Sequence, residues 1–225
     1  MTPLLWTVVT LLVYAAARIA YDRTRLALLN PAIVAIAAVM IILLVTRTPY
    51  PQYERGGRVI AFWLGPAVVA LGLPLAQQLA RVRRNLSAVS FALLAGSITG
   101  IVVAVVVARA FDAPAAIVRS LAPRSVTTPI AIAITARLGG IPALSAVVSI
   151  VSGALGGFVG VGLLRLTGVR SPLATGLALG AAAHGLGTAR AADEGATESG
   201  AAGLAMGVMG ILTALLAPIV VALVA

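Results

Sequence analysis

Long apolar runs separated by short polar segments make up most of this chain. Runs such as 32–45 (AIVAIAAVMIILLV) do not alternate between apolar and polar residues, so helices are predicted in preference to strands. An apolar helix of about 20 residues crosses a bilayer core about 30 Å thick. We count six full-length runs, at residues 4–20, 30–45, 59–79, 86–108, 141–164 and 203–224. The pattern predicts an all-α, polytopic membrane protein with about six full spans.

The polar segments between these runs are interpreted as loops. Segment 47–58 contains two prolines, two tyrosines and two glycines, whereas segment 80–85 (ARVRRN) is the densest basic cluster. The run at 59–79 contains two Gly and two Pro residues and is expected to be kinked or broken. We expect one integral membrane domain, 1–225, in which N-terminal spans (1–85) precede a transport-like core (86–225).

Two regions of the second half are apolar but too interrupted to cross a membrane as one helix. The first, 113–138, contains PRSVTTP and is followed by two glycines. In the second, a short run at 172–183 precedes HGLGTARAADEGATES (184–199), which is polar and expected to be helix-poor. Non-helical backbone persists at membrane depth only where protein buries it or where it lines a watery cavity. Transporters use such broken helices to expose amide N–H groups to anions.

Candidate substrate-binding residues lie at these two breaks. They combine hydroxyl donors, basic groups and glycines that admit a ligand to the backbone. The set is Arg124, Ser125, Thr127, Thr128, Pro129, His184, Gly185, Gly187, Thr188 and Arg190. Several of them also have a purely structural interpretation. Pro129 would then begin a helix, Thr127 and Thr128 would bond a carbonyl one turn back, His184 would be a satisfied buried imidazole, and Arg190 would lie at a membrane surface.

Composition supports membrane insertion and excludes several other classes. The 225 residues are 61% hydrophobic and 10% charged, with a mean hydropathy of +1.11. All sixteen basic residues are Arg, but the net charge of +10 comes from clusters between apolar runs, so nucleic acid is not an expected partner. Cysteine is absent and histidine occurs once, which disfavours a metal site or an enzyme. The acidic residues at 193, 194 and 198 are expected in a solvated loop.

An offset of sixty residues aligns the two breaks. RSVTTPIA begins at Arg124 and HGLGTARA begins at His184, and each starts with a basic or titratable residue. The alignment suggests an internal repeat. The two copies would be inverted if each break is re-entrant and parallel if each break crosses the membrane.

Several longer motifs resemble the LrgB/CidB family. They are PRSVTTPIAIAI, GGIPALSAVVSI, GLALGAAAHGLGTARA and LAMGVMGILTALLAPIV, joined by LLNPAIVA and GPAVVALGLPLAQQL in the first half. Members of that family are polytopic inner-membrane proteins, usually encoded beside a smaller LrgA/CidA-type membrane protein. They were described as antiholin-like or holin-like modulators of murein hydrolase activity and autolysis. The fused plastid relative is a glycolate/glycerate translocator, and bacterial relatives are linked to transport of pyruvate and similar carboxylates.

The resemblance implies roles for particular positions. The family's basic residue before Ser-Val-Thr-Thr-Pro is typically Lys and corresponds to Arg124. The charge is kept, but a planar guanidinium with several N–H donors replaces a compact ammonium group. The Ser-Val-Thr-Thr-Pro motif falls on 125–129, and His-Gly-x-Gly-Thr-Ala-Arg falls intact on 184–190. The resemblance also implies that the protein is located in the bacterial cytoplasmic membrane and acts with an LrgA/CidA-type partner. We expect a homo-oligomer, a dimer.

Two functional hypotheses follow. The first is a carrier for small monocarboxylates such as glycolate, glycerate, pyruvate or lactate, with a midplane anion site, no cofactor, and H⁺ or Na⁺ as the coupling ion. The second is a holin-like or antiholin-like protein that forms membrane lesions or regulates them with its partner. Two buried breaks that face each other within one protomer would favour the carrier, whereas a continuous polar lumen shared by subunits would favour the pore.

Overall fold

The computed structural model describes residues 3–24, 29–63, 66 and 85–224. Within these residues the regular structure is entirely helical, which confirms the predicted all-α class. The helices are α1 (Pro3–Thr24), α2 (Pro31–Val45), α3 (Tyr50–Phe62), α4 (Leu86–Ala110), α5 (Ala115–Leu121), α6 (Thr128–Leu138), α7 (Pro142–Leu166), α8 (Pro172–Glu194) and α9 (Ala196–Val224). They form two compact units, one within residues 1–71 and the other within 72–225.

Four described helices are long and apolar enough to cross a membrane, so the protein is a membrane protein. These spans are Leu4–Thr24, Leu86–Ala110, Pro142–Leu166 and Ala196–Val224. The run predicted at 30–45 does form a helix, with Asn30 as N-cap and Pro31 in the first turn, but α2 has only 15 residues. The prediction of six full spans is therefore supported only in part.

The N-terminal unit contains a helix where the sequence suggested a loop. The prediction of a loop at 47–58 is wrong, because α3 covers most of that segment. The prolines at 49 and 51 occupy the N-cap and the first turn, where the ring costs no hydrogen bond. The helix packs on α1: the Trp6 and Tyr53 rings meet edge to face at 5.9 Å, and Thr7 Oγ1 donates to the Gly56 carbonyl at 2.8 Å.

Little of the predicted third span can be compared with the structure. Residues 59–62 complete α3, which ends at Phe62. Most of the run at 59–79, together with the basic cluster at 80–84, lies outside the described residues.

The core unit is built around α9, which packs against α4, α6 and α8. Small residues permit the closest approaches. A Cβ added at Gly176 or Gly180 of α8 would collide with the backbone of α9, at Glu198 and Ala202 respectively. On another face, Ser97 of α4 hydrogen-bonds Thr213 of α9 across 3.3 Å in a fully buried position. Tight helix contact through small residues and buried hydroxyls is typical of membrane proteins.

The first interrupted region turns back on itself. From α4 the chain enters α5, passes through residues 122–127, and returns along α6. It arrives beside α5 again, where Ser120 Oγ accepts the Ile141 amide hydrogen at 2.7 Å. At the turning point Ser125 Oγ would lie 3.2 Å from a Cβ at Gly100, near the middle of α4. We call residues 115–138 the first hairpin and residues 122–127 its tip.

The second interrupted region also turns back. Gly156 and Gly160 of α7 pack against Ala183 and Leu179, so the first arm of α8 is antiparallel to α7. Beyond the turn the order reverses, because Gly157 contacts Leu186 and Arg165 pairs with Glu194. We call residues 172–194 the second hairpin and His184 its tip.

The expectation that 184–199 is helix-poor is wrong. Helix α8 continues to Glu194 and α9 begins at Ala196. Only His184 departs from helical geometry within α8, and Gly195 separates the two helices. The polar residues of this stretch bond to each other: Arg190 lies 2.6 Å from Glu194. Polarity had suggested a loop, whereas i,i+4 ion pairs of this kind stabilise a helix.

Candidate functional site

The tip of the second hairpin is a single residue in a strained conformation. His184 has φ 41° and ψ −123°, a region that side chains with a Cβ rarely occupy. Such a conformation costs on the order of 1–3 kcal/mol and persists when surrounding contacts hold it. Here the imidazole is buried, and its Nε2 lies 2.9 Å from the backbone oxygen of Ser149 on α7.

This contact also selects the histidine tautomer. A carbonyl oxygen can only accept, so Nε2 carries the hydrogen and donates it to Ser149. The ring lies directly on the backbone of α7, because a Cβ at Gly153 would stand 2.6 Å from Cε1 and 2.7 Å from Nε2. Nδ1 is therefore the ring nitrogen left to interact with a ligand.

The tip of the first hairpin reaches the same turn of α7. Arg124 is half-buried, and its Nη1 lies 3.4 Å from Ser152 Oγ, one residue from Gly153. In the described part of the chain no carboxylate lies within ion-pair distance of its guanidinium. The hairpins approach from opposite directions: the first opens at the N-terminal end of α7, and the second opens at its C-terminal end. Both tips therefore meet α7 between Ser149 and Gly153, near the middle of that helix.

A groove connects the two tips along the outer side of α7. It has a volume of about 410 Å³ and is lined by Arg124 from the first tip and Ala182 from the second. The rest of its wall is α7, with Ser152 the one polar side chain that the helix contributes. Arg124 therefore places a positive charge in a largely apolar groove.

The Ser-Val-Thr-Thr-Pro motif forms the start of α6. Thr127 is the N-cap residue but its hydroxyl makes no capping bond, and Pro129 lies in the first turn. The first amides of a helix have no acceptor within it, which applies here to Thr128 and Ile130. The hydroxyls of Thr127 and Thr128 have no hydrogen-bond partner among the described residues. Ser125 packs against α4, and Pro129 is exposed.

The glycines and threonine of the second break have three different surroundings. Gly185 faces open space, because a Cβ there would have no neighbour within 4 Å. Gly187 packs against Ala183 and the Leu179 backbone oxygen, so it lets the two arms of the hairpin touch. Thr188 donates its hydroxyl hydrogen to the His184 carbonyl at 2.8 Å. This bond ties the second arm to the tip.

Arg190 is not at the tip. Its guanidinium lies 2.6 Å from Glu194 and 3.9 Å from Asp193, at the open end of the second hairpin. Glu194 also receives Arg165 from α7 at 2.7 Å. Among the candidate arginines the structure thus brings Arg124 to the meeting point of the hairpins and gives Arg190 carboxylate partners.

Serines on α7 complete the site and were missed from the sequence. Ser149 supplies the carbonyl for His184, and its own hydroxyl is fully buried with no partner in the described ranges. Ser152 contacts Arg124. Ser145, Ser149 and Ser152 recur at helical spacing in an apolar run, a signal that could have marked this face as polar.

Comparison with known proteins gives consistent matches over almost the whole chain. The model of the LrgB-like family matches residues 10–223. The antiholin-like protein LrgB of Bacillus mycoides (strain KBAB4) is 32% identical over 219 residues, which cover 97% of this chain and 95% of that protein. Proteins of the same name from Bacillus cereus (strain B4264) and Bacillus anthracis (strain CDC 684 / NRRL 3495) match with the same identity and coverage. No solved structure matches.

Proposed function

We propose that this chain, which belongs to the LrgB-like family, is a carrier of small monocarboxylates. The observation that supports this proposal is the convergence of both hairpin tips on one turn of α7. Broken helices that meet near the middle of a membrane protein are the usual construction of a substrate site in secondary transporters. A site of this size and charge suits anions such as glycolate, glycerate, pyruvate or lactate.

In this proposal the first hairpin supplies the main anion contacts. The amides of Thr128 and Ile130 and the Thr128 hydroxyl are donors at a helix N-terminus, where the helix dipole favours negative charge. Arg124 adds a positive charge that no described carboxylate neutralises. A carboxylate held there would satisfy donors that have no partner within the helix.

The second hairpin contributes His184. With Nε2–H bound to Ser149, a neutral ring presents only a lone pair at Nδ1, which does not attract a carboxylate. Nδ1 becomes a donor to the substrate when the ring is protonated. Gly185 leaves open space beside the tip for the rest of the substrate.

The paired hairpins also suggest how access alternates. In each half of the core a full-length helix precedes a hairpin, first α4 and then α7. The two hairpins enter from opposite ends of α7. We therefore propose that the two halves, which align at an offset of sixty residues, are inverted copies of one repeat. Carriers built from inverted repeats expose a central site to each side in turn.

The cellular setting belongs to the same proposal. We place the carrier in the bacterial cytoplasmic membrane as a dimer, with H⁺ or Na⁺ as coupling ion. An LrgA/CidA-type membrane protein is its proposed partner.

The names of the relatives favour a second function. They are called antiholin-like, which corresponds to control of membrane lesions and, through them, of murein hydrolases. Such a role requires either a pore or regulation of a partner's pore. A pore would pass solutes unrelated to carboxylates, whereas a carrier would saturate and discriminate.

Reconstitution distinguishes the two functions. Purified protein in liposomes would be tested for uptake of radiolabelled glycolate, glycerate, pyruvate and lactate, with an imposed proton or sodium gradient and entrapped carboxyfluorescein as a leak reporter. Saturable uptake without dye release supports the carrier. Dye release supports the pore, and absence of uptake under every gradient would refute the carrier.

A further inference from the structure

A second groove lies between α6 and α9 and begins at Pro129 and Ile130, just after the tip of the first hairpin. Its volume is about 390 Å³, and six of its seven lining residues are apolar or proline. The lining set is Pro129, Ile130, Ala133, Ile134, Arg137, Ala214 and Pro218. The two helices run in the same direction here, since Ile130 contacts Gly210 while Arg137 and Pro218 line the same groove further along.

One end of this groove is positively charged. Arg137 lies in the last turn of α6, one residue before that helix ends, and it is exposed. No carboxylate among the described residues lies within ion-pair distance of it. Arg119 extends to the turn that follows, with Nη1 3.5 Å from the Cβ position of Gly139. Between residues 109 and 141 the sequence holds a single acid, Asp112.

The groove therefore combines an apolar channel with a cationic end. A small hydrophilic anion would leave the apolar walls unfilled, whereas an acyl chain would cover them. We infer that the occupant is an anionic phospholipid, with its phosphodiester on Arg137 and one acyl chain along Ile130, Ile134 and Pro218. Arginines at the end of a membrane helix attract anionic headgroups, and a zwitterionic headgroup would bring a cation beside them.

Native mass spectrometry of the purified full-length protein tests this site. The probes are phosphatidylglycerol, phosphatidylcholine with identical acyl chains, and soluble glycerol phosphate. Wild-type protein retains phosphatidylglycerol in preference to the other two. Arg137→Gln weakens that retention by roughly fivefold, the factor that corresponds to about 1 kcal/mol per arginine near an anionic surface.

Three further variants, one in the groove lining and two controls outside it, distinguish occupancy of the groove from an effect of charge alone. Ala133→Trp fills the groove from an exposed position and lowers phosphatidylglycerol retention with every arginine present. Arg109→Gln and Ile211→Trp, exposed changes outside the groove lining, leave retention unchanged.

Several results would overturn the inference. They are equal retention of both lipids, binding of glycerol phosphate as strong as that of the lipid, or wild-type retention by either groove variant. A change of oligomeric state in Ala133→Trp without a change in lipid retention would assign the groove to a protomer interface instead. None of these outcomes depends on carboxylate transport, so they leave the proposed function separately testable.

Discussion

The imidazole Nε2 of His184 lies 2.9 Å from the backbone oxygen of Ser149. The ring fits against α7 only because residue 153 is glycine, which has no Cβ to collide with it. This bond fixes the tip of the second hairpin at the middle of α7. It also holds a residue at φ 41°, a value usually left to glycine.

Gly153→Ala should displace that ring. The new Cβ would lie 2.6 Å from Cε1, so the ring must move and its bond to Ser149 is lost. Loss of a buried hydrogen bond costs about 1–3 kcal/mol. We expect a lower Tm and at least about tenfold slower carboxylate uptake, the factor that corresponds to about 1.4 kcal/mol.

The matched control for that variant is Gly162→Ala on the same helix. A Cβ there has no neighbour within 4 Å, and alanine favours helix more than glycine does. Its Tm should be unchanged or slightly higher, with normal uptake. Equal losses in both variants would show that the His184 contact is not the cause.

His184→Gly should separate stability from function. Glycine adopts φ 41° without strain, which offsets part of the lost hydrogen bond to Ser149. We expect a Tm within a few degrees of wild type together with loss of uptake. His184→Leu keeps the strain and removes the bond, so it should melt at a lower temperature than His184→Gly. Normal uptake by the glycine variant would remove His184 from the substrate site.

Thr128→Val tests the first hairpin. Valine preserves shape but removes a hydroxyl that has no protein partner in the described part of the chain, so stability should hold while uptake is abolished. Thr188→Val is the comparison, because the Thr188 hydroxyl already bonds the His184 carbonyl. That variant should lower Tm as well as uptake. Membrane insertion, checked by quantitative blotting, should be normal for both.

Glu194→Gln tests the open end of the second hairpin. The carboxylate forms ion pairs with Arg165 at 2.7 Å and with Arg190 at 2.6 Å. Arg165 is exposed, but Arg190 and Glu194 are partly buried, so their pairs should contribute at least the roughly 0.2–1 kcal/mol of an exposed pair. A fall in Tm is expected, together with faster proteolysis near Gly195. Glu54→Gln, which removes an exposed i,i+4 pair with Arg58 in α3, is the control. Equal proteolysis of the second hairpin in the two variants would contradict a restraining role for Glu194.

The sequence predicted the helical class, the apolar spans of the core and the position of both breaks. These depend on local properties: runs of apolar residues, and proline or glycine where a helix stops. The His184 break could be located from HGLG, but its reversal of direction could not, because the reversal depends on contacts of Ala183 and Leu186 with α7.

Errors arose where tertiary contacts outweighed local polarity. Segment 47–58 is polar and proline-containing, yet Tyr53 and Gly56 find partners on α1 and the segment is helical. Arg190 and Thr188 belong to one motif, but both already have partners within the protein. Arg190 forms an ion pair with Glu194, and Thr188 donates a hydrogen bond to the His184 carbonyl. Ser149 was not selected because its backbone oxygen, which carries no sequence signal, makes the bond.

Helix α9 contacts both hairpins within a single turn. Met206 Sδ lies 3.9 Å from Thr188 Oγ1, and a Cβ at Gly210 would lie 2.8 Å from Ile130. These positions are four residues apart, about 6 Å along a helix. Both hairpins therefore pack on the same turn of α9. In the proposed carrier, a movement of this turn would act on the two hairpins together.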